Sequence, residues 1–375
     1  MYSIVHMTTV HPRHDIRIRI KEAASLSRHD KMQVTVFVQD GKGSEKDEST
    51  GVSVVDTGPK PESRPARIII GALRMWRAVR RAKPTVVHFH DSELIPVGLL
   101  LKFSGIKVFY DVHEDVPAQI FDKHYLPSII RKPVARALEI VEKIAGNCFD
   151  AIIPATPKIA ERFPVDKTVV VQNYPIIEEL VAPEAVSYFQ RPLYFAYLGG
   201  INRARGAVEM VEAINQVAGV DVKLCLAGVF LQKDLQGEIE SLAGWKKIKF
   251  FGWLNRKQVA GVLGNVRAGL VLFHPGPNHC NAQPNKMFEY MAAGLPVIAS
   301  DFPLWREMVK VENCGLLVDP LNPVAIAEAM KWILDNPQEA EAMGRRGRRA
   351  VEEKYNWECE SEKLIALYER LLSEK

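Results

Sequence analysis

The chain has 375 residues, of which 47% are hydrophobic and 25% are charged, and its formal net charge is +4 at pH 7. These proportions are those of a soluble globular protein, and the length suffices for two α/β domains of ordinary size. The net charge is too modest to indicate nucleic acid as a partner, whereas clustered basic residues would suit an anionic membrane surface. No apolar run reaches the length of a membrane span, and the longest candidate, residues 95–101, ends at Lys102.

The cysteines and the N-terminal residues bear on the cellular compartment. The five cysteines lack CxxC spacing and are Cys148, Cys225, Cys280, Cys314 and Cys359. An odd, unclustered set argues against a disulfide framework or a zinc site and favours a reducing environment. The first residues lack the basic leader and the cleavage site of a secretion signal. We therefore expect a cytoplasmic protein, peripheral on the inner face of the membrane if its basic residues cluster.

The chain opens with the pattern strand, loop, helix, strand. The strands are predicted over 2–6 and 34–38, the polar loop over 8–15 and the helix over 16–27. This pattern begins a doubly wound domain, whose ligands bind beyond the carboxyl ends of the strands. The first loop lacks a GxGxxG sequence, which weakens a dehydrogenase interpretation. We interpret Arg17 in the first helix as a surface charge.

Two basic amphipathic regions follow, over 66–81 and 123–143. Their apolar faces contain Ile68, Ile69, Leu73, Trp76 and Val79 in the first region, and Ile129, Ile130, Val134, Leu138, Ile140 and Val141 in the second. We expect the first face to pack on the sheet, because a doubly wound sheet needs covering by helices. The alternative is that both regions lie on anionic lipid, where their arginines and lysines would contact the head groups.

Two neighbouring strand ends carry histidines and carboxylates. The residues are His88, His90, Asp91, Asp111, His113 and Glu114. Since parallel strands end at one edge of a sheet, these side chains should share a rim. Three histidines with carboxylates suit a metal ion, so a metal-dependent hydrolase that uses His88, His90 and His113 is an alternative. The other candidate histidines lie in a loop, at position 124, or in the second half of the chain, at positions 274 and 279.

The pattern restarts after residue 192. The acidic stretch 177–192 lacks hydrophobic periodicity and is predicted to be a linker. A strand over 193–198 then leads into a turn with Gly199, Gly200, Arg203, Arg205 and Gly206, and a helix begins at about residue 207. A glycine-rich turn with arginines before a helix is suited to a diphosphate, which it can bind through backbone N–H groups and guanidinium donors.

The segment 284–301 is predicted to form a loop, a helix, a tight turn and a strand. Asn285 is a good N-cap, and Gly294 is placed where a helix ends in the left-handed conformation. Lys286 in the first turn opposes the helix dipole unless an anion binds there. Glu289 could accept hydrogen bonds from a ribose diol. The alternative is that Glu289 only complements the dipole and that Lys286 is solvated.

This segment resembles the C-terminal-domain signature of the retaining glycosyltransferases of family 4, which have the GT-B fold. In that family a Glu-x7-Glu motif spans the sugar-binding loop and the following helix. Glu289 matches the second glutamate, whereas Asn281 occupies the place of the first. An amide forms hydrogen bonds but does not neutralise a developing positive charge. The resemblance therefore leaves a nucleotide-sugar-binding subunit without catalysis as an alternative to an active transferase.

The resemblance also implies site residues elsewhere in the chain. The family's Arg-x4-Lys pair, which holds the donor diphosphate, falls on Gly200 and Arg205, and Arg203 is a candidate for the missing charge. The full donor set is Gly199, Gly200, Arg203, Arg205, Gly252, Trp253, Asn285, Lys286 and Glu289. The acceptor-side set is His11, Asp15, His90, Asp91 and Glu114. The catalytic set is His113, which matches the histidine that contacts the transferred sugar, together with Asn281 and Arg205.

By this resemblance the chain is expected to form two doubly wound, Rossmann-like domains of the α/β class that face a cleft. The expected boundaries are 1–176 for the acceptor domain, 177–192 for the linker, 193–355 for the donor domain and 356–375 for a helix that returns to the first domain. The implied activity is a hexosyltransferase that uses a UDP- or GDP-sugar and retains the anomeric configuration. The implied acceptor is a glycan or a lipid-linked molecule of cell-surface polysaccharide or glycoconjugate synthesis. No metal ion, cofactor or nucleic acid is expected.

Overall fold

A computed structural model describes residues 1–122, 126–181, 186–219 and 221–373. The chain forms two compact units, of which the first comprises Met1–Asn173 with Glu358–Lys375 and the second Tyr174–Trp357. The predicted start of the second basic region at Lys123 lies outside the described residues, as do His124 and positions 182–185 of the predicted linker.

The first unit contains a seven-stranded sheet in the order β3-β4-β2-β1-β5-β6-β7. Its strands are β1 Tyr2–Met7, β2 Met32–Val38, β3 Glu45–Lys46, β4 Ser53–Asp56, β5 Val86–Phe89, β6 Lys107–Val112 and β7 Ala151–Pro154. All pairs are parallel except β3 with β4, and every residue of β5 is buried, as expected for a strand that helices cover on both faces. Residues 169–171 lie outside these strands, although the backbone N–H groups of Val169 and Val171 bond to carbonyls of residues 152 and 154.

Helical segments connect these strands. They are the π-helical Ile16–Ala23, α1 Ala24–Ser27, α2 Arg64–Ala66, the π-helical Arg67–Gly71, α3 Ala72–Ala82, the 3-10 turn Ser92–Leu94, α4 Ile95–Phe103, α5 Val116–Gln119, the 3-10 turn Ile120–Asp122, α6 Ser128–Cys148, α7 Pro157–Ala160 and the 3-10 turn Val165–Lys167. Helix α3 contacts α4, and α4 contacts α6, so the three helices are neighbours in this unit.

The expectation that the apolar face of 66–81 packs on the sheet is wrong for most of its residues. Ile68, Ile69 and Leu73 are exposed. The exposed residues of α6 likewise include apolar ones, namely Ile129, Ile130, Ile140, Val141 and Ile144. The residues that α6 buries are mostly small, namely Ala135, Ala145 and Gly146 beside Glu142, and a Cβ on Gly146 would lie only 2.8 Å from the Phe163 ring. The large apolar side chains are therefore left at the surface.

The second unit contains a six-stranded, wholly parallel sheet in the order β10-β9-β8-β11-β12-β13. Its strands are β8 Tyr194–Leu198, β9 Lys223–Ala227, β10 Ile248–Gly252, β11 Ala268–Val271, β12 Val297–Ser300 and β13 Gly315–Val318. Its helices are α8 Ala207–Gln216, α9 Leu235–Ser241, α10 Arg256–Leu263, α11 Pro277–Cys280, α12 Asn285–Ala292, α13 Pro303–Glu312, α14 Pro323–Asp335 and α15 Pro337–Glu353. Its 3-10 turns are Ile177–Leu180, Tyr188–Gln190, Arg203–Arg205 and Ala243–Lys247.

The segment predicted to be a linker belongs to the second unit where it is described. Ile177, Leu180 and Tyr188 are buried in the core of that unit. The phenol group of Tyr188 also donates a hydrogen bond of 2.9 Å to the carbonyl of Arg267. Acidic composition without periodicity therefore did not identify a free linker here, because short 3-10 turns bury isolated apolar residues without a repeating pattern.

The segment 284–301 forms the predicted helix, turn and strand. Gly294 follows α12 with φ +69°, and β12 begins three residues later. The predicted N-cap is wrong by one residue, since Pro284 occupies the cap and Asn285 is the first helical residue. Tyr290 fixes α12 to the sheet, because its hydroxyl accepts the backbone N–H of Leu198 at 3.0 Å. Gly269 permits this approach: a Cβ there would lie 2.1 Å from the Tyr290 ring.

The C-terminal helix α16, Trp357–Ser373, packs on the first unit. The hydroxyl of Tyr368 lies 2.9 Å from Nδ1 of His88, and Glu360 accepts the backbone N–H of Gln172 at 2.8 Å. This packing confirms the predicted return of the tail to the first domain. In the described part of the chain, no helix has both the length and the apolar character needed to cross a membrane.

Candidate active site

Three glycine turns meet at the carboxyl ends of β8, β9 and β10. Gly199, Gly228 and Gly252 all have positive φ angles, which favour glycine. The N–H of Gly228 donates to the carbonyl of Gly252 at 2.7 Å, and a Cβ on Gly228 would lie 1.8 Å from the carbonyl oxygen of Gly199. Only glycine fits at residue 228, so the three turns form one continuous edge with little side-chain bulk. We call this edge the glycine edge.

Lys286 lies against the glycine edge as a buried, unpaired cation. Its Nζ is 3.6 Å from the centre of the Tyr197 ring and has no hydrogen-bond partner among the described residues. A Cβ on Gly199 would lie 3.4 Å from this Nζ. Burial, and then the charge of Arg205, lower the pKa of Lys286 well below its ordinary value. A buried ammonium group without a partner is costly, so the site is suited to an arriving anion.

Arg205 provides a second cation beside Lys286. Its guanidinium group lies 5.4 Å from the centre of the Phe273 ring, and Nη1 donates to the carbonyl of Gly200 at 3.3 Å. The next residue, Gly206, has φ +72°, and a Cβ there would lie 2.4 Å from a backbone oxygen of Leu272. Glycine at this position therefore lets the arginine-bearing turn lie against the end of β11 before α8 begins.

Other residues of the predicted donor set are less closely associated with Lys286. The guanidinium group of Arg203 pairs with Glu238 at the surface, so Arg203 does not replace the cation that is missing at Gly200. Trp253 is 72% exposed. Asn281, directly after α11, and Asn285 are also exposed.

Glu289 forms an ion pair that the sequence analysis did not predict. Arg256, at the start of α10, donates from Nη1 to Glu289 at 2.7 Å and from Nε to Glu179 at 2.9 Å. This double contact fixes the carboxylate of Glu289 on the outer face of α12. Arg256 follows the Trp253 turn by only three residues, but no local pattern indicates a partner 33 residues away. Glu289 therefore presents a carboxylate that an arginine already orients.

The first unit has its own polar rim at the ends of β1, β5 and β6. Asp91 accepts the Thr8 hydroxyl at 2.8 Å and the Thr9 N–H at 2.6 Å, which fixes the loop after β1. His11 lies 3.2 Å from Asp15, and its ring centre is 4.9 Å from that of His113. Although burial opposes the shift, the hydrogen bond from His11 and the N–H of Ile18 lower the pKa of Asp15 to about 2. The predicted acceptor-side residues His11, Asp15, His90 and Asp91 are thus brought together, whereas Glu114 is exposed.

Arg17 is not a surface charge, and that interpretation was wrong. The side chain is only 4% exposed, and the guanidinium group contacts both carboxylate oxygens of Asp111 at 3.0 and 2.7 Å. Asp111 in turn lies 2.7 Å from Nε2 of His113 and 3.0 Å from Nδ1 of His90. Although burial opposes the shift, the Arg17 charge holds the pKa of Asp111 well below its ordinary value. A buried carboxylate therefore connects two histidines of the rim.

Beneath the rim, a second buried group surrounds Glu22. Potential metal-ligating atoms of His6, Glu22, His88 and His90 lie within 4.8 Å of one another, and those of His90, Asp111 and His113 form a second group that shares His90. In the described part of the chain, the three histidines of the metal-hydrolase interpretation therefore do not form one ligand set. Nε of Arg17 is 3.0 Å from Glu22, and this buried cation would repel a divalent ion bound in the first group.

Family models match both halves of the chain. The model described as Glycosyltransferase Family 4 matches residues 20–173, and the model described as Glycosyl transferases group 1 matches residues 168–350. The two matches overlap at residues 168–173 and together cover both units, except for their terminal segments.

Similar proteins agree with this assignment. D-rhamnosyltransferase WbpZ of Pseudomonas aeruginosa is 25% identical over 41% of this chain and 39% of its own length. Phosphatidyl-myo-inositol mannosyltransferase of Mycobacterium leprae is 26% identical over 50% of this chain and 49% of its own length. The matched regions thus span about half of these curated relatives or less.

A solved structure supports the fold. HepE of Anabaena, determined in complex with UDP-glucose, is 13% identical to this chain, with a TM-score of 0.75, and the match covers 99% of this chain and 100% of that one. At this identity the likeness concerns the fold alone. The shared fold consists of two Rossmann-like sheets with a C-terminal helix. The matched models and this architecture place the chain in family 4 of the glycosyltransferases, the group 1 glycosyl transferases, with the GT-B fold.

Proposed function

We propose that this chain is a hexosyltransferase that moves a sugar from a nucleoside-diphosphate donor to a glycan or lipid-linked acceptor. The observation that carries the proposal is the buried ammonium group of Lys286, which lies against the glycine edge beside Arg205 without an anionic partner. A diphosphate is the part of a nucleotide sugar that matches two cations and exposed N–H groups. Family membership and the UDP-glucose complex of HepE support the same donor class.

The chemical task at this site is to stabilise the leaving diphosphate. As the bond between the sugar and the diphosphate breaks, negative charge grows on the leaving oxygen. Lys286 and Arg205 are already held by packing on Tyr197 and Phe273, so little reorganisation is required when this charge develops. The N-terminus of α12 adds backbone N–H groups at the same place. We propose that these protein cations act without a metal ion.

Glu289 and Arg256 are proposed to bind the nucleoside, and His113 and Asn281 the transferred sugar. Retention of configuration is proposed on the basis of family membership. Asn281 stands where the family has a glutamate, and its amide can hydrogen-bond a sugar hydroxyl but not neutralise a cation. We therefore expect slow turnover rather than none. Release of nucleoside diphosphate only when an acceptor is present would distinguish a transferase from a binding subunit.

Arg205→Ala should lower the affinity for UDP or GDP by about tenfold or more, because a charge-assisted contact to phosphate is lost. Isothermal calorimetry with EDTA throughout measures this affinity without contribution from a metal ion. Arg203→Ala is the matched control and should have little effect, since Arg203 pairs with Glu238 at the surface. Equal loss in both variants, or binding only after a metal ion is added, would contradict the proposed site.

We also propose that the first unit docks on an anionic membrane at the inner surface of the cell. Ile68, Ile69 and Ile70 are exposed, and so are Phe103 at the end of α4 and Ile129 on α6. The stretch 64–83 contains seven arginines and lysines and no aspartate or glutamate. Apolar side chains flanked by arginines are typical of surfaces that insert into the interface of a bilayer. The mannosyltransferase relative is named for phosphatidyl-myo-inositol, which is a lipid, and this name supports a lipid acceptor.

Ile69→Glu combined with Ile129→Glu should abolish flotation of the protein with anionic vesicles, because two exposed apolar contacts are replaced by charges that anionic lipid repels. The vesicles contain phosphatidylglycerol and phosphatidylcholine, and pure phosphatidylcholine vesicles serve as the comparison. Val324→Glu, on an exposed apolar position of the second unit, is the control. Binding of the wild-type protein should also weaken as salt is raised. If the wild type floats equally with both lipids or with neither, anionic docking is refuted.

A further inference from the structure

The carboxylate of Asp111, at the end of β6, is the shared partner of three buried or half-buried side chains. Its Oδ2 lies 2.7 Å from Nε2 of His113, 3.0 Å from Nδ1 of His90 and 3.0 Å from Nε of Arg17. Arg17 also contacts Oδ1, and its Nη1 donates to the carbonyl of Val171 at 2.9 Å. The guanidinium group is thus attached at two points, so it holds the carboxylate in one orientation.

The hydrogen-bond directions around Asp111 follow from the chemistry of the groups. An ionised carboxylate only accepts hydrogen bonds, so an imidazole nitrogen that bonds to Asp111 carries a proton. Nδ1 of His90 also lies 3.0 Å from Nε2 of His113, but this Nε2 is closer to Oδ2 of Asp111, at 2.7 Å. We therefore assign the Nε2 proton of His113 to the contact with the carboxylate, and the Nδ1 proton of His90 to the same acceptor at 3.0 Å. In neutral His90 the other nitrogen, Nε2, is then an acceptor, and it lies 3.0 Å from Nδ1 of His6, which can donate to it. In neutral His113 the proton on Nε2 leaves Nδ1 with a lone pair. Among the described residues, Nδ1 of His113 has no hydrogen-bond partner.

We infer that Asp111 is a positioning residue that fixes His113 as the Nε2–H tautomer, so that Nδ1 accepts a hydrogen bond from a substrate hydroxyl. This inference rests on the proposed function, in which His113 contacts the transferred sugar. In the opposite tautomer, Nδ1 of His113 would carry the proton and would favour a substrate atom that accepts a hydrogen bond. Asp111 and its partner Arg17 therefore select the polarity of the contact, although neither has to touch the substrate.

The first test is spectroscopic and needs no enzymatic activity. The full chain is labelled with ¹⁵N-histidine, and long-range ¹H–¹⁵N correlation spectra are recorded at pH 8. Loss of one set of signals in His113→Gln assigns that residue. We expect the pattern of a neutral Nε2–H imidazole for His113. An Nδ1–H pattern, or two protonated nitrogens at this pH, would overturn the inference whether or not sugar transfer has been detected.

The second test replaces the carboxylate by an amide of the same shape. In Asp111→Asn, His113 should show both tautomers, because an amide can donate as well as accept. Turnover should fall by about tenfold to a hundredfold, by analogy with the loss that follows removal of a carboxylate that orients a metal-binding histidine. Affinity for UDP or GDP should be unchanged, because the diphosphate site lies in the second unit.

Asp150→Asn is the matched control for this substitution. Asp150 also belongs to the first unit, accepts the backbone N–H of Val108 at 2.8 Å and pairs with Lys102 at 2.7 Å, but it directly precedes β7, at the amino ends of the strands. It should leave the His113 signals and turnover unaltered. If Asp111→Asn keeps the wild-type His113 pattern, Asp111 does not set the tautomer. Failure of the wild-type chain to bind UDP or GDP would instead count against the proposed function. If Asp111→Asn does not fold, the wild-type spectrum alone decides.

Discussion

Lys286→Met should make the protein more stable and strongly weaken its binding of UDP or GDP. The wild-type ammonium group is buried over the Tyr197 ring, and no described residue pairs with it. A buried unpaired polar group costs about 1–3 kcal/mol, and more if it is charged. Methionine has a similar length without the charge, so it should fill the space and remove the cost. We expect a rise in the free energy of unfolding of about 1–3 kcal/mol.

The same substitution removes the cation that an arriving diphosphate would pair with. Truncation of one partner of a desolvated charge pair costs about 2–5 kcal/mol, which corresponds to a loss of affinity of about thirtyfold or more. Stability and binding should therefore change in opposite directions. This is the signature of a functional charge and not of a structural one. Urea unfolding and calorimetry with UDP and GDP measure the two quantities on the same preparation.

The pH dependence of stability provides a further check on Lys286. Because its pKa in the folded chain is below the ordinary value of 10.5, the unfolded chain binds more protons between these two values. Stability of the wild type should therefore rise with pH in that window, and Lys286→Met should remove this rise. The control is Lys331→Met on the exposed surface of α14, which should change neither property. A Lys286→Met variant that is less stable than the wild type would contradict the interpretation.

The sequence predicted the parts of this site that are local in the chain. Lys286 is on the first turn of a helix that ends at Gly294, where the backbone has a positive φ. The position of Lys286 and the end of the helix can both be predicted from neighbouring residues in the sequence. The glycines before Arg205 likewise indicate a tight turn by themselves. The unpaired state of Lys286 was not predicted. It depends on Tyr197, Phe273 and Arg205, which come from other strands and turns of the same sheet.

Contacts between distant segments explain what sequence reasoning missed. Arg17 is 94 residues from Asp111, and periodicity placed it on a polar helix surface because arginine is usually exposed. The only available signal was the presence of carboxylates and histidines at two strand ends, which require a counter-charge when buried. The apolar residues of α6 were missed for the opposite reason. A helical pattern predicts an apolar face, but it does not show that small residues such as Gly146 occupy the true contact.

Arg17→Met should destabilise the first unit by about 3–5 kcal/mol, which is the usual cost of breaking a buried ion pair by removing one partner. The side chain is 4% exposed and bonds to both oxygens of Asp111, while Nε also lies 3.0 Å from Glu22. Without the guanidinium group, two carboxyl groups remain buried side by side. The measurement is urea unfolding at pH 7, followed by tryptophan fluorescence and circular dichroism. Arg306→Met removes an exposed pair with Asp301 and should have little effect.

The stability difference between the wild type and Arg17→Met should shrink in acid. In the wild type, the pKa of Asp111 is well below its ordinary value of 3.8, so the folded chain binds fewer protons than the unfolded chain below that value. The contribution of the ion pair is therefore fully present above pH 3.8 and is lost as the pH falls toward the folded pKa. The variant has no such contribution to lose. Unfolding measured from pH 7 down to pH 3 should show the two curves converging. Parallel curves would mean that Arg17 stabilises the unit by packing of its aliphatic stem and not by pairing with Asp111.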